Sequence, residues 1–255
     1  MEISLFQLAA DWLHVLAVIT LLFKVLKSKS CAGISGKTQI LYTLVFSTRY
    51  LDLFVTYISL YNTFMKILFL CVSYGMVCLI YIIYSESYDR NRDSFFILLL
   101  ILPAVLLAPM CSYEFSLIEV LYSFSILLEA VAIWPQFFLI SKVRQVNITV
   151  FLYLLLLGSY RAFYIFKWIY CYQTLGYINT VNFVLGIVQV IPYLVFVGLC
   201  LCKVVVITRT DVPSESKICD EVPEKEVFII QLTQESLKPL HKIDVVPGVH
   251  TAPQA

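Results

Sequence analysis

Apolar residues run in long blocks along most of this chain, separated by short polar interruptions. Seven blocks reach the roughly 17–25 residues that an α-helix needs to cross a hydrocarbon core: about 5–23, 38–58, 63–84, 94–110, 117–140, 148–170 and 180–202. The connectors leave no room for a soluble domain. The pattern therefore predicts an all-α membrane protein with a seven-helix transmembrane domain over residues 1–202. Residues 203–255 show no helical stripe of useful length and carry prolines at 213, 223, 239, 247 and 253. Such a segment buries too little apolar surface to fold alone, so a disordered tail is expected. Within it Val227, Phe228, Ile229 and Ile230 form one apolar patch suited to docking.

Composition supports the membrane assignment. Hydrophobic residues make up 60% of the chain and charged residues 14%, against about 45–50% and about 25% in soluble domains. The net charge of +1 is too small to suggest nucleic acid as a partner. Eight cysteines are scattered without CxxC spacing, as small apolar fillers are. Cys200 and Cys202, at a helix end, also suit palmitoylation. The first apolar block carries Asp11 and His14 and lacks a small-residue cleavage site, so it is expected to be a span and not a cleaved signal peptide.

Basic residues orient the spans. The first, third and fifth connectors hold Lys24, Lys27, Lys29, Lys37, Arg90, Arg92, Lys142 and Arg144, while the connectors near 59–62, 111–116 and 171–179 hold no Lys or Arg. By the positive-inside rule the odd connectors face the cytosol. The N-terminus is then lumenal and the tail cytosolic. The sequon at Asn147 falls on the cytosolic side, where glycosylation does not occur.

Ionisable side chains at membrane depth are costly and are functional hypotheses by default. Arg49, Asp52 and Thr56 recur at helical spacing on the second block. Glu119, Tyr122, Ile126 and Glu129 share a face on the fifth, and Tyr160, Tyr164, Lys167 and Trp168 share one on the sixth, with Arg161 beside them. Two explanations fit: ion pairs that lock helices together, or one shared cavity that a ligand completes. Three cations and three carboxylates, flanked by Tyr50 and the other aromatic residues, exceed what packing requires, since buried pairs often break even energetically. His14, which lies outside the tail unlike the other two histidines, could couple binding to acidity. No HExxH, GxSxG, phosphate loop or metal-spaced cluster is present, so neither enzymatic activity nor a cofactor is expected.

Several strings carry a family resemblance. Residues 30–37 (SCAGISGK), 49–54 (RYLDLF), 57–66 (YISLYNTFMK) and Pro135-Gln136 closely resemble the KDEL receptors, the ER lumen protein-retaining receptors, and the likeness runs from about residue 6 to 203. The resemblance implies a fold similar to the PQ-loop and SWEET transporters: two three-helix bundles joined by a linking helix. It implies a multi-pass protein of the endoplasmic reticulum and cis-Golgi membranes, in contact with lipid. Such a receptor binds C-terminal KDEL-like signals of lumenal proteins in the mildly acidic Golgi and returns them in vesicles bearing the COPI coat. The acidic signal would be met by Arg49 and Arg161 and its lysine by Glu119 with Asp52. Tyr50, Tyr122, Tyr160, Tyr164, Lys167 and Trp168 would complete the binding site. His14 matches the family's pH-sensing histidine, with Glu129 part of the switch.

Departures from the family pattern predict a shifted cargo preference. Gln7, Cys171 and Tyr122 stand where that family usually has Arg, Arg and Trp, Asn179 replaces an Asp, and Lys167 replaces an Asn. The tail is longer and lacks adjacent lysines. A PQ-loop-type small-solute transporter is the alternative, since it would share the fold and the charged cavity. A G-protein-coupled receptor fits the span count but lacks the Asp/Glu-Arg-Tyr element expected at the end of the third span.

Overall fold

The computed structural model describes residues 5–54, 59–112, 115–176 and 179–209. Thr56, the tail from residue 210 onward and its apolar patch lie outside the described residues. Eight α-helices follow one another among the described residues: α1 (Leu5–Ser28), α2 (Gly36–Arg49), α3 (Leu60–Cys78), α4 (Leu98–Cys111), α5 (Leu117–Val131), α6 (Trp134–Val143), α7 (Ile148–Leu175) and α8 (Thr180–Leu201). Each of the seven predicted blocks contains helix. Five segments are long and apolar enough to cross a membrane: Leu5–Ser28, Leu60–Ile83, Leu117–Val143, Ile148–Thr174 and Thr180–Leu201. The α-helical runs α2 and α4 have 14 residues each, about 21 Å of rise, which is short of a hydrocarbon core about 30 Å thick.

Side-chain caps set most of the starts. Ser35, Ser59, Ser116, Asn147 and Asn179 accept backbone N–H donors at the heads of α2, α3, α5, α7 and α8, satisfying groups that a helix start leaves without partners. Gly176 ends α7 at a φ of +67°, a conformation that favours glycine. The fifth block, read from the sequence as one helix, is broken between α5 and α6. Pro135 lacks the N–H that would continue the α-helical ladder, and its ring clashes with the preceding turn. The second block also changes character, from α2 into a 3₁₀ turn over Tyr50–Phe54.

Helix α1 packs along α7, α2 lies against α3 and α5, and α8 contacts α5 and α7. On the outer face of α1, Trp12, Leu16, Ile19 and Phe23 are exposed at intervals of four, three and four residues. An apolar stripe of that kind is stable against lipid and not against water.

A polar hub ties together connectors that the sequence placed on one side. Asp93 is 1% exposed and accepts from Ser35 Oγ at 2.9 Å, the Lys37 backbone N–H at 3.2 Å and Tyr88 Oη at 2.7 Å. Burial, with the Tyr81 hydroxyl and the Asp93 carboxylate alongside, holds the Tyr88 phenol above its ordinary range, so it remains a neutral donor. Gln136 accepts from the Ser35 N–H at 2.8 Å and donates to the Gly33 carbonyl at 2.9 Å. Lys37 Nζ reaches the Phe95 carbonyl at 2.7 Å and Lys142 Nζ reaches Ser94 Oγ at 2.6 Å. A feature absent from the sequence-based expectations is a short parallel pair, β1 (Gln145–Asn147) with β2 (Val206–Thr208). It pins the segment after α8 to the connector before α7.

Candidate ligand-binding site

A cavity of about 600 Å³ opens among α1, α2, α3, α5, α7 and α8. Its lining includes a three-membered ion cluster. Glu129, on α5, is 5% exposed. Arg49 Nη1 lies 2.8 Å from Glu129 Oε2, and Arg161 Nη2 pairs with Glu129 Oε1. Arg49 Nε also donates to Ser125 Oγ at 3.1 Å. Tyr160 Oη donates to Glu129 at 3.0 Å and accepts from Arg161 at 3.0 Å. One carboxylate therefore balances two guanidiniums, and Arg49 Nη2 and Arg161 Nε have no acceptor among the described residues. A net positive charge in a poorly hydrated place is stable only with a further anion or ordered water.

His14, 8% exposed, sits beside this cluster. Its ring stacks on Tyr160 at 4.2 Å and lies 4.5 Å from the Phe69 ring. It also borders a second, much smaller cavity of about 20 Å³ shared with Gln39, Tyr42 and Tyr153.

The cavity brings together most of the residues expected from the sequence. Arg49, Tyr50, Tyr122, Tyr160, Arg161, Tyr164, Lys167 and Trp168 line it, as do His14 and Glu129. Gly186 of α8 makes room for Trp168, because a Cβ there would lie 2.5 Å from the indole.

Two expected members are placed elsewhere. Glu119 is not among the lining residues; it occupies the first turn of α5, where its backbone N–H is capped by Ser116 and a carboxylate favours the positive end of the helix dipole. Helical spacing aligned it with Tyr122 and Glu129 by angle but ignored that it lies nearer the end of the helix, in its first turn. Asp52 is likewise not a lining residue. The 3₁₀ turn after Arg49 carries it toward α3, where Lys66 Nζ holds Asp52 Oδ2 at 2.7 Å. Asp52 Oδ1 is buried without a partner among the described residues. The expected pair of carboxylates for a ligand lysine is thus not assembled in this geometry.

Lys66, Tyr61, Asn182 and Gln189 line the cavity without having been singled out. Lys66 was detectable, as a cation within the third apolar block. Asp11, noted only as a charge in the first block, accepts from Tyr164 of α7 and from Tyr61 of α3 at 3.2 Å. Among the described lining residues, four cations (Arg49, Lys66, Arg161 and Lys167) face two carboxylates (Asp11 and Glu129). Gln7 lines the cavity as a neutral group, whereas Cys171 does not line it.

Comparison with known proteins supplies an independent constraint. A family model described as ER lumen protein retaining receptor matches residues 30–171. The ER lumen protein-retaining receptor erd-2.2 of Caenorhabditis elegans is 49% identical over 79% of this chain and 95% of its own length. The ER lumen protein-retaining receptor of Drosophila melanogaster is 45% identical, and ER lumen protein-retaining receptor 2 of Homo sapiens 44% identical. Each match covers 83% of this chain and the whole of the relative.

Proposed function

This chain belongs to the ER lumen protein-retaining receptors, a family of non-enzymatic sorting receptors, and on that premise we propose that its cavity binds the C-terminal carboxylate of lumenal cargo peptides bearing KDEL-like signals. The observation that carries this reading is the Arg49–Glu129–Arg161 cluster, in which two guanidiniums share one carboxylate and retain donors without acceptors among the described residues. A terminal carboxylate is a planar anion that suits such a fork. Tyr50, Tyr122, Tyr164 and Trp168 supply aromatic walls for the residues that precede it.

Cargo is captured in the Golgi and released in the endoplasmic reticulum because His14 changes charge between them. A protonated imidazole beside two guanidiniums is tolerated best when an anionic ligand has entered, so proton and ligand favour each other's binding. The receptor then travels in COPI vesicles within the surrounding lipid. Seven spans in a PQ-loop-like pair of bundles, with a lumenal N-terminus and cytosolic C-terminus, complete the reading. Its support is that all seven apolar blocks contain helix, that Ser35 and Lys37 of the first connector bond Asp93 of the third, and that Lys142 of the fifth bonds the adjoining Ser94. Small-solute transport is not favoured, because the relatives are sorting receptors.

The test is binding of matched peptides with free and amidated C-termini to the full-length protein in nanodiscs. Free-carboxylate peptides should bind about ten- to a hundredfold more tightly than amidated ones. Equal binding would contradict the proposed role of the arginines.

A further inference from the structure

The chain does not run straight out from the end of α8. Lys203 turns it back at a φ of +57°, the Val204 and Val205 N–H groups donate to the Leu199 carbonyl, and the Val206 N–H donates to the Arg144 carbonyl at 2.9 Å. The pairing of β2 with β1 then holds the segment against the connector before α7. This turn buries Val205 but leaves Leu201, Val204, Val206 and Ile207 exposed. Their surface continues the outward apolar side of α8, where Ile191, Leu194 and Val195 are exposed. Arg144, Lys203 and Arg209, also exposed, place cations around it. An apolar patch rimmed by cations at the end of a span is the composition of a segment that lies on a bilayer surface. An exposed thiol, that of Cys202, sits within it.

Resting on the reading that puts this end of α8 on the cytosolic side, we propose that the turn from Leu201 to Arg209 is a lipid anchor, seated at the bilayer surface and S-acylated at Cys202. The Cys202 sulfur attacks the thioester carbon of a long-chain acyl-CoA, in a transfer catalysed by a membrane acyltransferase. The bond from that carbon to the CoA sulfur breaks, a new thioester joins the acyl group to Cys202 Sγ, and the thiol proton passes to the departing CoA. Position separates Cys202 from other thiols. Cys71 is also exposed, but it lies midway along the span Leu60–Ile83, at a depth that the charged head of a CoA thioester does not enter. Cys200 packs against the core and Cys31 is buried. The apolar side chains of the turn hold the Cys202 thiol at the boundary, and the acyl chain then supplies the second of the two signals that stable anchoring takes.

The experiment uses the full-length receptor made in cells. In sealed vesicles with the cytosolic face outward, free thiols are blocked with a permeant maleimide, thioesters are cleaved with hydroxylamine, and the thiols released are tagged with an impermeant maleimide of high mass. Wild type should gain a tag that is lost in Cys202→Ser and kept in Cys71→Ser and Cys219→Ser. In nanodiscs, the fluorescence added by Val204→Trp should be quenched by lipids brominated on the upper acyl carbons, beyond the wild-type background. No tag on wild type, or one that survives Cys202→Ser, overturns the acylation, and quenching no greater than background overturns the seat on the bilayer. A Cys202 tag that appears only after the vesicles are permeabilised overturns the cytosolic placement and the proposal with it. If no tag appears even then, while the unblocked Cys202 thiol reacts from outside, the placement stands and only the acylation falls.

Discussion

His14 lies flat against Tyr160, with ring centroids 4.2 Å apart and planes 4° from parallel. The Tyr160 hydroxyl in turn donates to Glu129 at 3.0 Å, so the imidazole abuts the phenol that bonds the carboxylate shared by Arg49 and Arg161. Glu129, Arg49 and Arg161 are the charged groups around it, from α5, α2 and α7. Proton uptake at His14 adds to the cationic excess that an anionic peptide relieves. Affinity for free-carboxylate peptides is therefore predicted to rise as pH falls from about 7.4 to about 6. His14→Phe keeps the ring stack and removes the titration, so its affinity should vary little over that interval. Isothermal titration at several pH values checks this, and an unchanged pH slope in His14→Phe would place the switch elsewhere.

Replacing Glu129 should damage the protein more than replacing either arginine. Glu129→Gln leaves two guanidiniums side by side without a counter-ion, a loss on the order of 3–5 kcal/mol for a broken buried pair. A saturating anionic peptide should restore part of that stability through linkage. Thermal unfolding with and without peptide measures both effects. No stabilisation of Glu129→Gln by peptide would argue against an anion entering the cluster.

At Gly186 the prediction concerns shape. A methyl group placed 2.5 Å from the Trp168 ring forces the indole to move, and overpacking of this kind costs about 1–3 kcal/mol. Because Trp168 is a cavity wall, Gly186→Ala should weaken peptide binding as well as stability. The variant's tryptophan fluorescence reports the displacement, and a wild-type spectrum with wild-type affinity would contradict it.

Asp93 should behave in the opposite way. Asp93→Ala removes the acceptor shared by Ser35, Lys37 and Tyr88 and leaves buried donors unmatched, at about 1–3 kcal/mol for each such group. Stability should drop while the peptide affinity of the folded fraction stays close to that of wild type, since Asp93 is not a cavity residue. Ligand titration on the folded fraction separates the two, and a large affinity loss would show that the hub and the cavity are coupled.

Much of the fold was legible because lipid imposes a simple rule: long apolar blocks become helices. The strings that carried the family resemblance turn out to have structural work to do. Ser35, Lys37 and Gln136 build the polar hub, and Arg49 anchors the ion cluster. Periodicity was less informative where the backbone leaves α-helical geometry. It could not reveal the break before Pro135 or the 3₁₀ turn that separates Asp52 from Arg49 and hands it to Lys66. Nor could angular position on a helix disclose depth, which is why Glu119 was expected to line the same cavity as Glu129. The pairing of β1 with β2 joins segments about 60 residues apart in sequence and carries no local signal.

Arg49, held by Glu129, is the group proposed to receive the terminal carboxylate of a cargo peptide. The most direct measurement is a double cycle: wild type and Arg49→Gln, each titrated with the same peptide in free and amidated form. For wild type, amidation should reduce affinity about ten- to a hundredfold, the value of one charged hydrogen bond. In Arg49→Gln the free peptide should bind more weakly and the penalty for amidation should shrink, because only Arg161 remains to meet the carboxylate. Tight binding of the free peptide to Arg49→Gln, with the full penalty for amidation intact, would contradict the account.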